Sequence, residues 1–129
     1  MNAAFPWAQL LAVALGSAMG GVLRWAVQLW LNARWVGFPP GTLLVNCVGG
    51  LLVGVALAWF ARSPNELLRL LLVTGFLGGL TTFSAFTGES LTLLQRGNVG
   101  WALAHGAAHL LGSLACCAIG FRLAKFLLA

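Results

Sequence analysis

The stretch Thr74-Gly75-Phe76-Leu77-Gly78-Gly79-Leu80-Thr81-Thr82-Phe83-Ser84-Ala85-Phe86-Thr87-Gly88-Glu89-Ser90 decides how the rest of the chain is read. It lies inside a long apolar run, yet it sets three glycines ahead of two adjacent threonines. A cluster of hydroxyls, two phenylalanines three apart and an acid follow. In apolar surroundings a freed backbone group finds no water, so a broken helix there is costly. The glycines alone suit a kinked, closely packed helix equally well. The run Thr-Thr-Phe-Ser-x-Phe-Thr-x-Glu-Ser adds polar groups that lipid would not tolerate, and so points to an interruption facing something polar. The segment reads as a site.

Working outward, the composition sets the class. Of the 129 residues, 60% are hydrophobic and only 7% charged, and 17 are glycine, too apolar a balance for a soluble domain. A helix needs about 20 apolar residues to cross a bilayer's hydrocarbon core. The chain has room for four such crossings, which makes one all-α membrane domain spanning residues 1–129. The formal net charge of +5 comes from scattered Lys and Arg, so it reads as membrane-flank charge and not as a nucleic-acid surface. Cys47, Cys116 and Cys117 fall within predicted spans, without metal-ligand spacing, and read as small packing residues. The N-terminus lacks the basic start of a signal peptide, so no removal is expected.

The crossings are expected at about 7–31, 41–60, 67–94 and 99–126. In the first, Gly16 and Gly20 let another helix approach closely. Arg24 follows, with Gln28 on the same face; it either snorkels or attracts anions at a pore mouth. Trp25, Trp30 and Trp35 suit the interfacial belt, and Pro39-Pro40-Gly41-Thr42 makes a rigid turn into the second helix. There Asn46 is either interhelical glue or a pair of donors for an anion, and Gly50-xxx-Gly54 is another close-approach signal. Ser63-Pro64 reads as the start of the third helix. In the fourth, His105, His109 and Ser113 fall at i, i+4 and i+8 on one stripe, beside the small residues Ala108, Gly112, Cys116 and Gly120. The two histidines could ligate a metal, but no third ligand is evident from the sequence. A hydrogen-bonding track along a water- or ion-filled path is the other reading.

Flanking charge is nearly balanced. Arg62, Arg69, Arg122 and Lys125 would lie on one side of the membrane, and Arg24, Arg34 and Arg96 on the other. Orientation follows the excess of Lys and Arg on the cytoplasmic side, and four against three is hardly an excess. Such a chain is expected to insert both ways round and to work as an antiparallel homodimer.

Three motifs taken together resemble the CrcB/Fluc family of small fluoride channels. They are Gly20-Gly21-x-x-Arg24, Pro40-Gly41-Thr42-Leu43-x-Val45-Asn46-x-x-Gly49, and Gly75-Phe76-x-Gly78-Gly79-x-Thr81-Thr82-Phe83-Ser84-x-Phe86. The resemblance implies a dual-topology homodimer in the bacterial cytoplasmic (inner) membrane, with two antiparallel pores exporting fluoride passively. It also implies a structural Na+ at the dimer interface, held by backbone oxygens that map to Gly78 and Thr81. The pore residues would be Asn46, Thr82, Phe83, Ser84, Phe86 and Glu89, with Arg24 at the vestibule. The fourth-helix polar track, usually a tyrosine and hydroxyls, falls here on His105, His109 and Ser113. Trp25 replaces the tyrosine that often follows the first-helix arginine.

The chemistry suits that implication. Fluoride is small and strongly hydrated, so a pore must replace its water with donors. Asn46, Thr82 and Ser84 can donate, and a phenylalanine ring edge attracts an anion weakly enough to release it. Carbonyls freed at a helix break can coordinate a cation, provided protein surrounds them. A small dual-topology proton-coupled multidrug exporter is the alternative, but it needs an acid early in the first helix, and none is there. A non-transporting membrane scaffold would leave Phe83, Phe86 and Asn46 unexplained. No nucleophile–base pair or phosphate loop suggests an enzyme.

Overall fold

A computed structural model describes residues 4–34 and 37–129; Trp35, assigned above to the interfacial belt, lies outside them. Every regular element in the described residues is helical. α1 is Trp7–Leu31, followed by a 3-10 turn, Asn32–Arg34, and then α2, Pro40–Arg62. The third crossing comes in pieces: α3 (Glu66–Arg69), a π-helical stretch (Leu70–Leu77), α4 (Gly78–Leu80) and α5 (Phe83–Gln95). α6 is Val99–Leu127. Trp7–Leu31, Pro40–Arg62, Glu66–Gln95 and Val99–Leu127 are each long and apolar enough to span a bilayer. The protein is a multi-pass integral membrane protein.

Short polar devices set the helix ends. Pro39 is extended and Pro40 occupies the first turn of α2, where a missing N–H costs nothing. The Gly41 N–H is met instead by Asn32 Oδ1 at 2.8 Å, which ties the loop back to the end of α1. The third crossing starts later than Ser63-Pro64 suggests. Ser63 closes α2, and Asn65 is the cap of α3, its side chain accepting from the Leu68 N–H at 3.0 Å. An asparagine side chain satisfies a first-turn amide well, whereas a residue before proline is pushed to extended backbone. After α5 the chain turns at Gly97 with φ +74°, a left-handed value that glycine adopts freely. Gly97 and Asn98 amides then bond back to Leu94 and Leu93 carbonyls at 3.0 and 2.9 Å.

Glycines decide which helices touch. α2 packs most extensively against α6, and α1 against the π-helical stretch. A Cβ at Gly54 would strike the Cys117 carbonyl oxygen, and one at Gly120 the Leu51 carbonyl oxygen. Gly16 and Gly20 meet the Leu71 and Phe76 carbonyls in the same way. Backbone against backbone at these points replaces the hydrophobic drive that lipid cannot supply. Val45, Leu77 and Leu80 are buried together at the centre, with Val27, Val53 and Phe76 packed around them. Large apolar side chains such as Leu15, Leu29 and Leu103 stay exposed, as a lipid-facing surface requires.

Candidate functional site

The site is built on the break in the third crossing. Thr81 (φ −83°, ψ 154°) and Thr82 (φ −151°, ψ 121°) are extended, so the helix stops after Leu80 and restarts at Phe83. In an unbroken helix the Thr82 N–H would bond the Gly78 carbonyl. Here it donates to Asn46 Oδ1 at 2.7 Å, while Asn46 Nδ2 donates to the Thr82 carbonyl at 3.0 Å. One side-chain amide from α2 thus holds the interrupted backbone in place. Thr82 Oγ1 caps α5 by accepting from the Ala85 N–H at 3.1 Å, and it lies 3.2 Å from Ser84 Oγ. On the other flank, Arg24 Nε donates to the Gly79 carbonyl at 2.9 Å, so Arg24 is tied to the break and not left to snorkel.

From Asn46 the polar groups continue into α6. Asn46 Nδ2 also reaches His109 Nδ1 at 3.1 Å. The rings gather around Phe86: Phe83 tilted against it with centroids 5.5 Å apart, His109 tilted at 4.7 Å, and His105 stacked at 5.1 Å. An open groove of about 770 Å³ runs alongside, lined among others by Asn46, Thr82, Phe83, Phe86, His109 and Ser113. Arg24, Ser84, Glu89 and His105 are not part of that lining.

Glu89 and His105 belong to a second, buried chain of hydrogen bonds. Gln28 Nε2 can only donate, and it reaches Thr42 Oγ1 at 3.1 Å. The Thr42 hydroxyl therefore gives its proton to Glu89 Oε1. Glu89 Oε2 faces His105 Nε2 at 3.1 Å, and His105 Nδ1 faces Ser90 Oγ at 3.0 Å. A carboxylate that accepts from Thr42 and His105 leaves the His105 Nδ1 lone pair for the Ser90 hydroxyl. Every group in this relay is matched, which an acid in a membrane segment needs. Thr42 and His105 are both 0% exposed.

Of the residues singled out from the sequence, Asn46, Thr82, Ser84, Phe83, Phe86, His109 and Ser113 gather at the break and groove. Thr42, Gln28 and Ser90, quoted above without a pore role of their own, complete the buried relay. The available signal was Thr42 itself, a hydroxyl within an apolar helix that has to find a partner. A third side chain of metal-ligating type also lies beside the two histidines. Glu89, His105 and His109 can each offer one atom, all within 4.8 Å of one another, with Glu89 arriving from α5. Only the fold brings that acid beside the two histidines.

A family described as CrcB-like protein, Camphor Resistance (CrcB), matches residues 11–121. The chain belongs to this family. Among its relatives is the fluoride-specific ion channel FluC of Pseudomonas paraeruginosa (strain DSM 24068 / PA7), 51% identical over 88% of this chain and 91% of that one. The protein of the same name from Nitrosomonas europaea is 52% identical over 84% and 87% of the two chains. That of Aromatoleum aromaticum is 50% identical over 94% of each. Membership places the chain among transporters and not enzymes.

Proposed function

We propose that this protein is a fluoride-selective channel of the bacterial cytoplasmic membrane, lowering cytoplasmic fluoride by passive export. The observation that carries the reading is the groove lined by Asn46, Thr82, Phe83, Phe86 and His109, in a chain half identical to relatives named for fluoride conduction. Two phenylalanine rings line it beside Thr82 and Ser113, so a desolvated anion would meet weak attraction and no deep trap. The first-helix acid by which a small multidrug exporter would couple protons is missing, because α1 contains no Asp or Glu.

The functional unit we infer is an antiparallel homodimer inserted in both orientations. The groove is open along one side and Phe83 is 79% exposed, so a single chain does not enclose a path. A second, inverted copy would supply the missing wall. A structural Na+ at the dimer interface is assigned to the Gly78 and Thr81 backbone carbonyls. Supporting this, the amide that would bond the Gly78 oxygen in a continuous helix is turned to Asn46, and an all-oxygen carbonyl set suits a hard cation. Bound there, the ion would hold the two breaks together. In this reading Asn46, Thr82, Phe83, Ser84, Phe86, Glu89, His105, His109 and Ser113 form the pathway, and Arg24 lies at its vestibule.

The test is anion efflux from liposomes holding the purified protein. Fluoride is expected to leave rapidly without a proton gradient, and chloride to be retained. Equal efflux of the two anions, or fluoride movement that needs an imposed proton gradient, would refute the proposal.

A further inference from the structure

Resting on that pathway, we propose that Asn46 acts on the conducted anion through His109. Its amide fixes the imidazole as the tautomer carrying its proton on Nε2, and this N–H is a hydrogen-bond donor presented to fluoride. Asn46 is then a positioning residue, and His109 a specificity-determining one.

The hydrogen bonds leave little freedom. A backbone N–H can only donate, so the Asn46 atom 2.7 Å from the Thr82 nitrogen is the amide oxygen. The other atom is Nδ2, whose hydrogens go to the Thr82 carbonyl at 3.0 Å and to His109 Nδ1 at 3.1 Å. An amide nitrogen accepts nothing, so Nδ1 must accept. A neutral ring then carries its proton on Nε2. That atom is buried and has no hydrogen-bond partner among the described residues, in a residue only 6% exposed. A buried donor without an acceptor is destabilising, and within a bilayer no bulk water relieves it. Phe86 and His105 flank the ring, with centroids 4.7 and 4.5 Å away, and His109 lines the groove. A small anion that accepts strongly is the ligand such a donor fits.

The same network decides against the competing use of this corner. Glu89, His105 and His109 are close enough to suggest a metal site. A metal on His109 Nε2 would need the lone pair there, which moves the proton to Nδ1, directly against the Asn46 Nδ2–H. Asn46 cannot turn over to receive it without setting its own NH2 against the Thr82 N–H. A metal on Nδ1 would have to displace Asn46. Held in this way, His109 offers this corner a proton and not a lone pair.

Three measurements on the full-length protein test the inference. Nitrogen NMR of 15N-histidine protein is expected to find His109 protonated at Nε2, and to find the proton on Nδ1 in Asn46→Asp, whose carboxylate accepts. In liposomes, His109→Leu is expected to lose at least about tenfold in fluoride flux, ~1.4 kcal/mol of barrier. His109→Gln, whose amide nitrogen reaches the Nε2 position, should stay within about threefold of wild type, less than 1 kcal/mol. Micromolar Zn2+ should leave wild-type flux unchanged but block Asn46→Asp, where the Nε2 lone pair is freed in a residue clustered with His105 and Glu89. An Nδ1 proton in the wild type, zinc block of the wild type, or wild-type flux in His109→Leu would each overturn it. If the leucine variant fails to fold, the glutamine variant and the nitrogen spectrum still decide. Should the wild-type protein pass no fluoride, the pathway itself is wrong; should it pass fluoride with Leu at 109, only this inference is.

Discussion

Phe83 and Phe86 are three residues apart on α5, yet their surroundings differ. Phe83 is 79% exposed in the single chain and touches the Phe86 ring at 5.5 Å. Phe86 is packed against both His105 and His109. Replacing either ring by isoleucine keeps bulk but removes the positive rim that an anion would meet. Phe83→Ile is therefore expected to lower fluoride flux about tenfold or more while leaving stability within ~0.5 kcal/mol. Phe86→Ile should lower flux and also cost about 1.5 kcal/mol or more, because it gives up three ring pairs, with Phe83, His105 and His109. Methionine, polarizable and flexible, should be gentler at both sites. Liposome efflux beside thermal unfolding in detergent checks the pair. Stable variants with wild-type flux at both positions would mean that the rings only pack.

At the scale of elements, the contact between α2 and α6 hangs on a few glycines. A Cβ at Gly54 meets a carbonyl oxygen of the facing backbone, which cannot swing aside as a flexible side chain could. Gly54→Ala should push the helices apart and cost about 1–3 kcal/mol or more. Gly100, in the first turn of α6, has nothing within 4 Å of an added Cβ. Gly100→Ala should be neutral or stabilising by up to ~1 kcal/mol, since alanine is the better helix former. Thermal unfolding of the two variants side by side makes the comparison; equal melting would show that the close approach contributes nothing. The third crossing carries the less foreseeable feature. Its π-helical stretch, Leu70–Leu77, has wider turns than the 3.6-residue period and shifts the side chains beyond it. Gly75 within that stretch lies directly against Gly16 of α1.

For the whole molecule, near-balanced flanks predict both orientations in one membrane. Single cysteines should be reachable from both sides in a background lacking Cys47, Cys116 and Cys117. Asn32 and Asn65 are poor positions for that label, because their side chains satisfy the Gly41 and Leu68 amides. Ser63 and Asn98, exposed in loops on opposite sides, are better. Each is expected to react with an impermeant reagent from either face. Labelling each from one face only would rule out dual orientation, and with it an antiparallel dimer.

The four apolar crossings, an interruption within the third and the close-packing glycines could be read from the chain directly. Length, hydropathy and small-residue spacing are local properties, and a bilayer punishes any departure from them strongly enough to leave a pattern. The partners of the polar groups could not be read this way. Nothing local tells that Asn46 spends its amide on Thr82 and His109, since those residues lie 36 and 63 positions away. Nor does local sequence reveal that Thr42, at the start of α2, hands its proton to Glu89 in α5, or that Arg24 is held by the Gly79 carbonyl. A side-chain donor on an apolar helix only announces that a partner must exist. Which partner it finds depends on how the crossings rotate and cross, and that is set by backbone contacts at Gly16, Gly20, Gly54 and Gly120 and by the register shift of the π-helical stretch. Those are properties of helix pairs, so the tertiary structure alone decided them.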